Sequence, residues 1–170
     1  MDVYESIKRR YSCRSYQDRA IEGEKLGRIM DSAVAAPTAK NLRDWRFIVV
    51  TDEKIKSALM AASNNQPFVE KCAAVIVGCS NNDYVMRCGQ AIGSIDISIA
   101  MEHIALTATA EGLASCWIGS FYPEKVAAAL GIPEEIEIVE LMTLGYAADE
   151  ESHRPIGPKE NYICYQKWQF

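Results

Sequence analysis

The stretch from Gly89 to Glu111 constrains this chain more than any other. Read as a helix, it carries Ile92, Ile95, Ile99 and Leu106 together with many alanines and other small residues. These apolar positions do not gather into one stripe. They cover most of the circumference, so the helix is expected at the centre of the molecule, with other elements packed on several sides. Gly112 stands where the helix should stop. No apolar run reaches the length of a membrane span, so this is read as a core helix.

The remaining elements follow from periodicity and punctuation. From Glu22 to Ala35, Leu26, Ile29, Met30 and Ala33 fall at helical spacing, and Pro37 ends the pattern. Trp45 to Thr51 reads as a strand rich in aromatic and β-branched residues, and Asp52 caps a short helix running to about Ala62. The polar stretch Ser63–Pro67 is turn-prone. Ala73–Cys79 reads as a buried strand and Ala114–Ile118 as a third. Pro123–Leu130 reads as a helix with proline in its first turn, and Ile136–Leu144 as a fourth strand. Tyr162-Ile163-Cys164-Tyr165 is a short strand-like segment near the C-terminus. Helices and strands do not alternate in a strict βαβ rhythm, so an α+β arrangement within one domain, 1–170, is expected.

Composition excludes several classes of function. The net charge of −5 disfavours nucleic acid, which needs an extended positive surface. The start, Met1-Asp2-Val3-Tyr4-Glu5, has no signal-peptide pattern, and a cytoplasmic protein without membrane partners is expected. Six cysteines include no C-x-x-C pair. Zinc-site spacing is absent, no metal is expected, and the thiols are read as reduced and mostly buried.

Against that negative balance, Arg9-Arg10-Tyr11-Ser12-Cys13-Arg14-Ser15-Tyr16 gathers three arginines and two serines. Such a run is either a solvated helix face or a site for an anion. As a site it suits phosphate, because the guanidinium fork matches phosphate oxygens and serine adds a short donor. Three further segments bear on the choice. Ala36-Pro37-Thr38-Ala39-Lys40-Asn41 is a polar loop before a strand, able to offer backbone groups, a hydroxyl and an amide to a heteroaromatic edge. Gly112–Gly119 is a strand whose terminal glycine admits close approach of a flat ligand. His153-Arg154-Pro155, with Lys159 nearby, is a second basic element.

Together these segments resemble the nitroreductase family, the FMN-dependent oxidoreductases, over nearly the whole chain. Arg10-Tyr11-Ser12-Cys13-Arg14 is similar to the family's R-x-S-x-R start. Ala36 to Leu42 and Trp45-Arg46-Phe47 resemble its A-P-S-x-x-N-x-x-P-W-x-F segment. Gly112–Gly119 resembles G-L-G-x-x-W-I-G, and Leu144-Gly145-Tyr146 its L-G-Y strand end. The resemblance implies a central mixed β-sheet flanked by helices in an intertwined homodimer. It places Arg10, Tyr11, Ser12 and Arg14 on FMN, with the arginines shared between phosphate and flavin edge. Pro37, Thr38, Ala39 and Asn41 would reach the flavin from the second subunit. Trp117, Ile118 and Gly119 would line the ring, Asn65 would stand near its edge, and Arg154 would meet the phosphate.

The implied activity is transfer of hydride from NADH or NADPH, through flavin, to a nitroaromatic, quinone or similar small acceptor. No catalytic side chain is named, because solvent can supply protons at an open face. Enone reduction, dehalogenation, flavin storage without turnover and a flavin-free interaction module are the rival readings. Three departures stand out. Ile156 occupies the place of the family's second basic residue, which Lys159 would have to replace. Asp44 replaces a proline. The chain is too short for the helices that cover substrate in larger relatives. His103, His153, Cys13 and Cys116 are read as structural. Asp96, on the apolar helix, needs a hydrogen-bond partner. Tyr165, Trp168 and Phe170 are expected to be buried against a second subunit.

Overall fold

The computed structural model describes residues 1–150, 153 and 155–168. In chain order the first elements are α1 (Val3–Arg9), α2 (Gly23–Val34), β1 (Trp45–Val50), α3 (Glu53–Ala62), α4 (Pro67–Lys71) and β2 (Ala74–Ser80). Then come α5 (Ile92–Ala110), β3 (Ala114–Ile118), α6 (Pro123–Leu130) and β4 (Glu137–Gly145), with 3-10 turns at Ala39–Asn41 and Lys159–Asn161. The four strands form one sheet in the order β1-β2-β4-β3, and every neighbouring pair is antiparallel. The mixed character expected of the sheet is confined to one parallel bridge, Ser12 with Ser115.

Strand alternation sorts the core into two layers. Ala74 and Ile76 of β2 face one side, packing in a cluster with Ile29 of α2 and Ile97, Met101 and Ile104 of α5. Val75, Val77 and Cys79 face the other, with Leu59 of α3, Val69 of α4 and Val126 of α6. Because both faces are covered, β2 is buried along its whole length. Ile97, Met101 and Ile104 have no solvent exposure, a gain of about 1.5–3 kcal/mol for each side chain. The central position of α5 is as its composition requires. Ile95, Ile99 and Leu106 of the same helix are only half-buried in a single chain.

The structure departs from the sequence reading by more than one residue at three places. α5 starts at Ile92 rather than Gly89, which instead sits at φ +87° in a turn closed by its N–H to the Met86 carbonyl at 2.8 Å. The polar Ser63–Pro67 turn opens the short helix α4, with Pro67 at its first position, where the missing N–H costs nothing. The segment 162–165 is not a strand. It continues the 3-10 turn through bends without ladder partners, and Tyr165 and Trp168 are exposed in the single chain. Phe170 lies outside the described residues. Among the described residues no helix is long and apolar enough to cross a membrane.

After α1 the chain runs extended along the open edge of β3 and the end of β4. Cys13 N–H donates to the Ser115 carbonyl, Gln17 N–H to the Tyr146 carbonyl and Ala148 N–H to the Ser15 carbonyl, each at 2.9 Å. Tyr16 fastens this arm from inside. Its hydroxyl donates to the Cys13 carbonyl at 3.0 Å and shares a 2.7 Å bond with Thr143 Oγ1, and burial drives its pKa far upward. Gly145 is required here: a Cβ would lie 2.8 Å from Tyr16 Cδ1.

Candidate functional site

The arm turns its charged side chains around the end of β3. Arg10 closes α1, its N–H bonded to the Ser6 carbonyl at 2.9 Å, and its Nε lies 4.0 Å from Glu102 Oε1 on α5. Ser12 sits beside Ser115 through the parallel bridge. Arg14 Nη1 reaches the Ser12 carbonyl only at 3.5 Å, and its guanidinium lies 5.9 Å from the centre of the Phe68 ring. No carboxylate of the described residues lies within salt-bridge distance of Arg14. Burial pushes the Cys116 thiol pKa up, and Arg14, a hydrogen bond with Ser12, and Arg10 all oppose that shift. Arg10, Ser12 and Arg14 therefore all lie on the arm within electrostatic reach of Cys116 on β3.

The other end of β3 completes this surface. Trp117 is half-buried near Glu102, whose carboxyl pKa is raised by burial and drawn back by Arg10 and Trp117. Ile118 buries its side chain in the opposite core layer, so only its backbone remains for a ligand. A Cβ at Gly119 would meet nothing within 4 Å. Packing therefore does not demand glycine there, and the space above the backbone is open. The loop carrying Asn65 lies against the next residue: Asn64 Nδ2 donates to Ser120 Oγ at 2.5 Å and Gln66 Nε2 to the Ser120 carbonyl at 3.4 Å. Asn64 and Asn65 both adopt left-handed backbone, which asparagine tolerates.

The Pro37–Asn41 loop sits at the N-terminal turns of α5 instead. Ala39 N–H donates to both carboxylate oxygens of Asp96 at 3.1 Å, which supplies the partner that the buried acid required. Thr38 Oγ1 accepts from Arg43 N–H at 3.2 Å, and Asn41 Oδ1 accepts from Arg43 Nε at 3.0 Å. Pro37 is exposed. Tyr11 lies against His153, edge to face at 5.9 Å. Arg154 lies outside the described residues. Lys159 stands exposed in a 3-10 turn.

Sequence reasoning did not single out Glu102, Phe68 or Ser115. Glu102 had a usable signal, since it and Asp96 are the only acids on an otherwise apolar helix. Ser115 Oγ is buried with no partner among the described residues, beside the same arm.

The model of the nitroreductase family matches residues 7–91 and 61–146. The chain belongs to the nitroreductase family. An NADH dehydrogenase of Thermus thermophilus is 30% identical over 91% of this chain and 92% of its own length. A nitroreductase family protein from Clostridium novyi NT is 38% identical and superposes with a TM-score of 0.84 over 88% of this chain and 87% of that one. An FMN-dependent nitroreductase from Clostridium difficile R20291 is 26% identical, with a TM-score of 0.84 over 96% and 98% of the two chains. The span matched by the nitroreductase family model includes both the arm and β3.

Proposed function

We propose that this nitroreductase-family chain is an FMN-dependent NAD(P)H oxidoreductase acting on nitroaromatic, quinone or similar small acceptors. The observation that carries the reading is the arm itself, where a guanidinium with no carboxylate partner among the described residues stands near the Ser12 carbonyl, with the open Gly119 at the other end of β3. The donor set fits FMN: arginine and serine for a phosphate, open backbone at Gly119 for a flat ring, and on the same strand a buried Ser115 hydroxyl with no partner among the described residues. When bound, FMN supplies two-electron transfer between a nicotinamide and an acceptor.

The residues of the chain hold and tune. Arg10, Tyr11, Ser12 and Arg14 bind the phosphate and the polar ring edge, and positive charge there favours an anionic ring. Glu102 sets the position of Arg10 and Trp117. Trp117, the Ile118 backbone and Gly119 border one face, Asn65 its rim, and Arg154 the phosphate. Pro37, Thr38, Ala39 and Asn41 serve the flavin of a second copy in a homodimer. The half-buried Ile95 and Ile99, with exposed Val3, Tyr4 and Ile7, support that assembly, since so much apolar surface calls for cover.

The test is spectroscopic. Purified protein given FMN should retain a flavin spectrum after desalting, lose it within seconds on anaerobic addition of NADH or NADPH, and regain it with a quinone. A flavin that binds but is reduced only over many minutes would indicate storage instead.

A further inference from the structure

A cavity of about 650 Å³ lies away from the arginine site, between the far end of the arm and the α3–α4 corner. Arg10, Ser12, Arg14 and Trp117 have no part in its walls. Its size is that of a small-molecule pocket. Its distinctive wall residue is Lys56.

Lys56 occupies a core position. With Leu59 and Ala62 it forms the buried face of α3, and it is 8% exposed. An apolar side chain is what that spacing calls for. A lysine there removes an ammonium from water, a cost of several kcal/mol unless its charge is met. Among the described residues it makes one hydrogen bond, 2.7 Å to the Cys72 carbonyl, and no ion pair. That bond caps the end of α4, but a carbonyl carries no charge and occupies one of three N–H donors. Glu53 and Glu70 line the same cavity without reaching Lys56 at salt-bridge distance, so the ammonium has no counter-ion among the described residues.

We infer that this cavity is a second binding site, for a small monocarboxylate with an apolar body, its carboxylate received by Lys56. The rest of the wall sets that class. The ionic residues cancel, with Arg19, Lys56 and Lys71 against Asp18, Glu53 and Glu70. Lys56 is the buried member of that set; the acids stand exposed or half-exposed toward the mouth. A single negative charge is accommodated, whereas a phosphate dianion would meet three carboxylates on its way in. Ile21 and Leu26 supply apolar wall for the remainder of the ligand. Local departure from the core pattern is what a functional site looks like in an otherwise consistent sequence.

The experiment is an amide NMR titration of the FMN-loaded protein with pentanoate, and separately with inorganic phosphate at matched ionic strength. Pentanoate should shift the amides of Lys56, Cys72 and Ala73 saturably and leave the flavin spectrum unchanged, while phosphate leaves those amides in place. Lys56→Met should weaken pentanoate binding about tenfold or more, the scale of a charged hydrogen bond. Lys71→Gln, at the exposed mouth, should weaken it only a few-fold and serves as the deciding variant if Lys56→Met does not fold. No saturable shift with pentanoate, an equal response to phosphate, or undiminished binding in the folded variants would overturn the assignment.

Discussion

Two basic regions of this molecule lie close in sequence and differ in how their charges are met. At the start of α2, Arg19, Lys25 and Arg28 form a closed network. Arg19 Nη2 donates to Glu22 Oε1 at 2.7 Å, and Arg28 grips both oxygens of Glu111 at 2.7 and 2.9 Å. Lys25 donates to the Glu111 carbonyl and the Tyr146 hydroxyl, each at 3.0 Å, and Tyr146 in turn donates to Glu22. In the arm, Arg14 has a carbonyl at 3.5 Å and a ring face, and Arg10 has a carboxylate at the 4.0 Å limit. The first region is complete within the chain. The second has donors left over, and it is the one on an open strand edge. Charge satisfaction, rather than charge density, separates the closed cluster from the one proposed to bind FMN.

That contrast yields graded predictions. Arg14→Ala should weaken FMN binding by about 1.5–3 kcal/mol in a fluorescence titration while leaving the urea midpoint unchanged. Gly145→Ala should cost about 1–3 kcal/mol of stability by urea melt, because the new Cβ collides with the Tyr16 anchor. It should also lower FMN affinity by loosening the arm, which Arg14→Ala does without touching stability.

A third effect belongs to the closed network alone. The Tyr146 hydroxyl, with the Glu22 backbone, Arg19 and Lys25 also contributing, holds the Glu22 carboxyl at about 2, below its ordinary 4.5. A depressed carboxyl pKa means that the unfolded chain takes up the proton first. Its stabilisation is therefore present above about pH 4.5 and drains away as pH falls toward 2. Urea melts of Glu22→Gln should show a shallower acid slope in that window, and those of Arg14→Ala an unchanged one. The smallest effect is expected from Arg28→Ala. An exposed ion pair contributes little, so its melt should nearly overlay the parent and its FMN affinity should match.

Much of the fold could be read from residue patterns because its signals are local and redundant. Ala114–Ile118 and Pro123–Leu130 have the same bounds in sequence and structure, since Gly112 and Pro123 punctuate them. The Asp52 cap is real, with its Oδ1 accepting from Ile55 N–H at 3.0 Å. The helix at Pro67–Lys71 escaped because so short an element has no periodicity to display, and its stability comes from burying Phe68 and Val69. The segment 162–165 misled for the opposite reason: β-prone residues without a neighbouring strand to pair with do not make one. At the site, the arm was visible as an arginine run, but its docking on β3 was not. That contact depends on Tyr16 meeting Thr143 across most of the chain, and no local pattern encodes it. Likewise Asp96 was visible as a buried acid, whereas its partner is a backbone N–H in a distant loop.

The central claim is that Arg10, Ser12 and Arg14 grip FMN at the end of β3. A crystal structure of the protein grown with FMN tests it most directly. The account predicts phosphate and polar ring-edge density within hydrogen-bond distance of those three side chains, with the ring plane over Gly119. Flavin density elsewhere, with both arginines turned to bulk solvent, would contradict it.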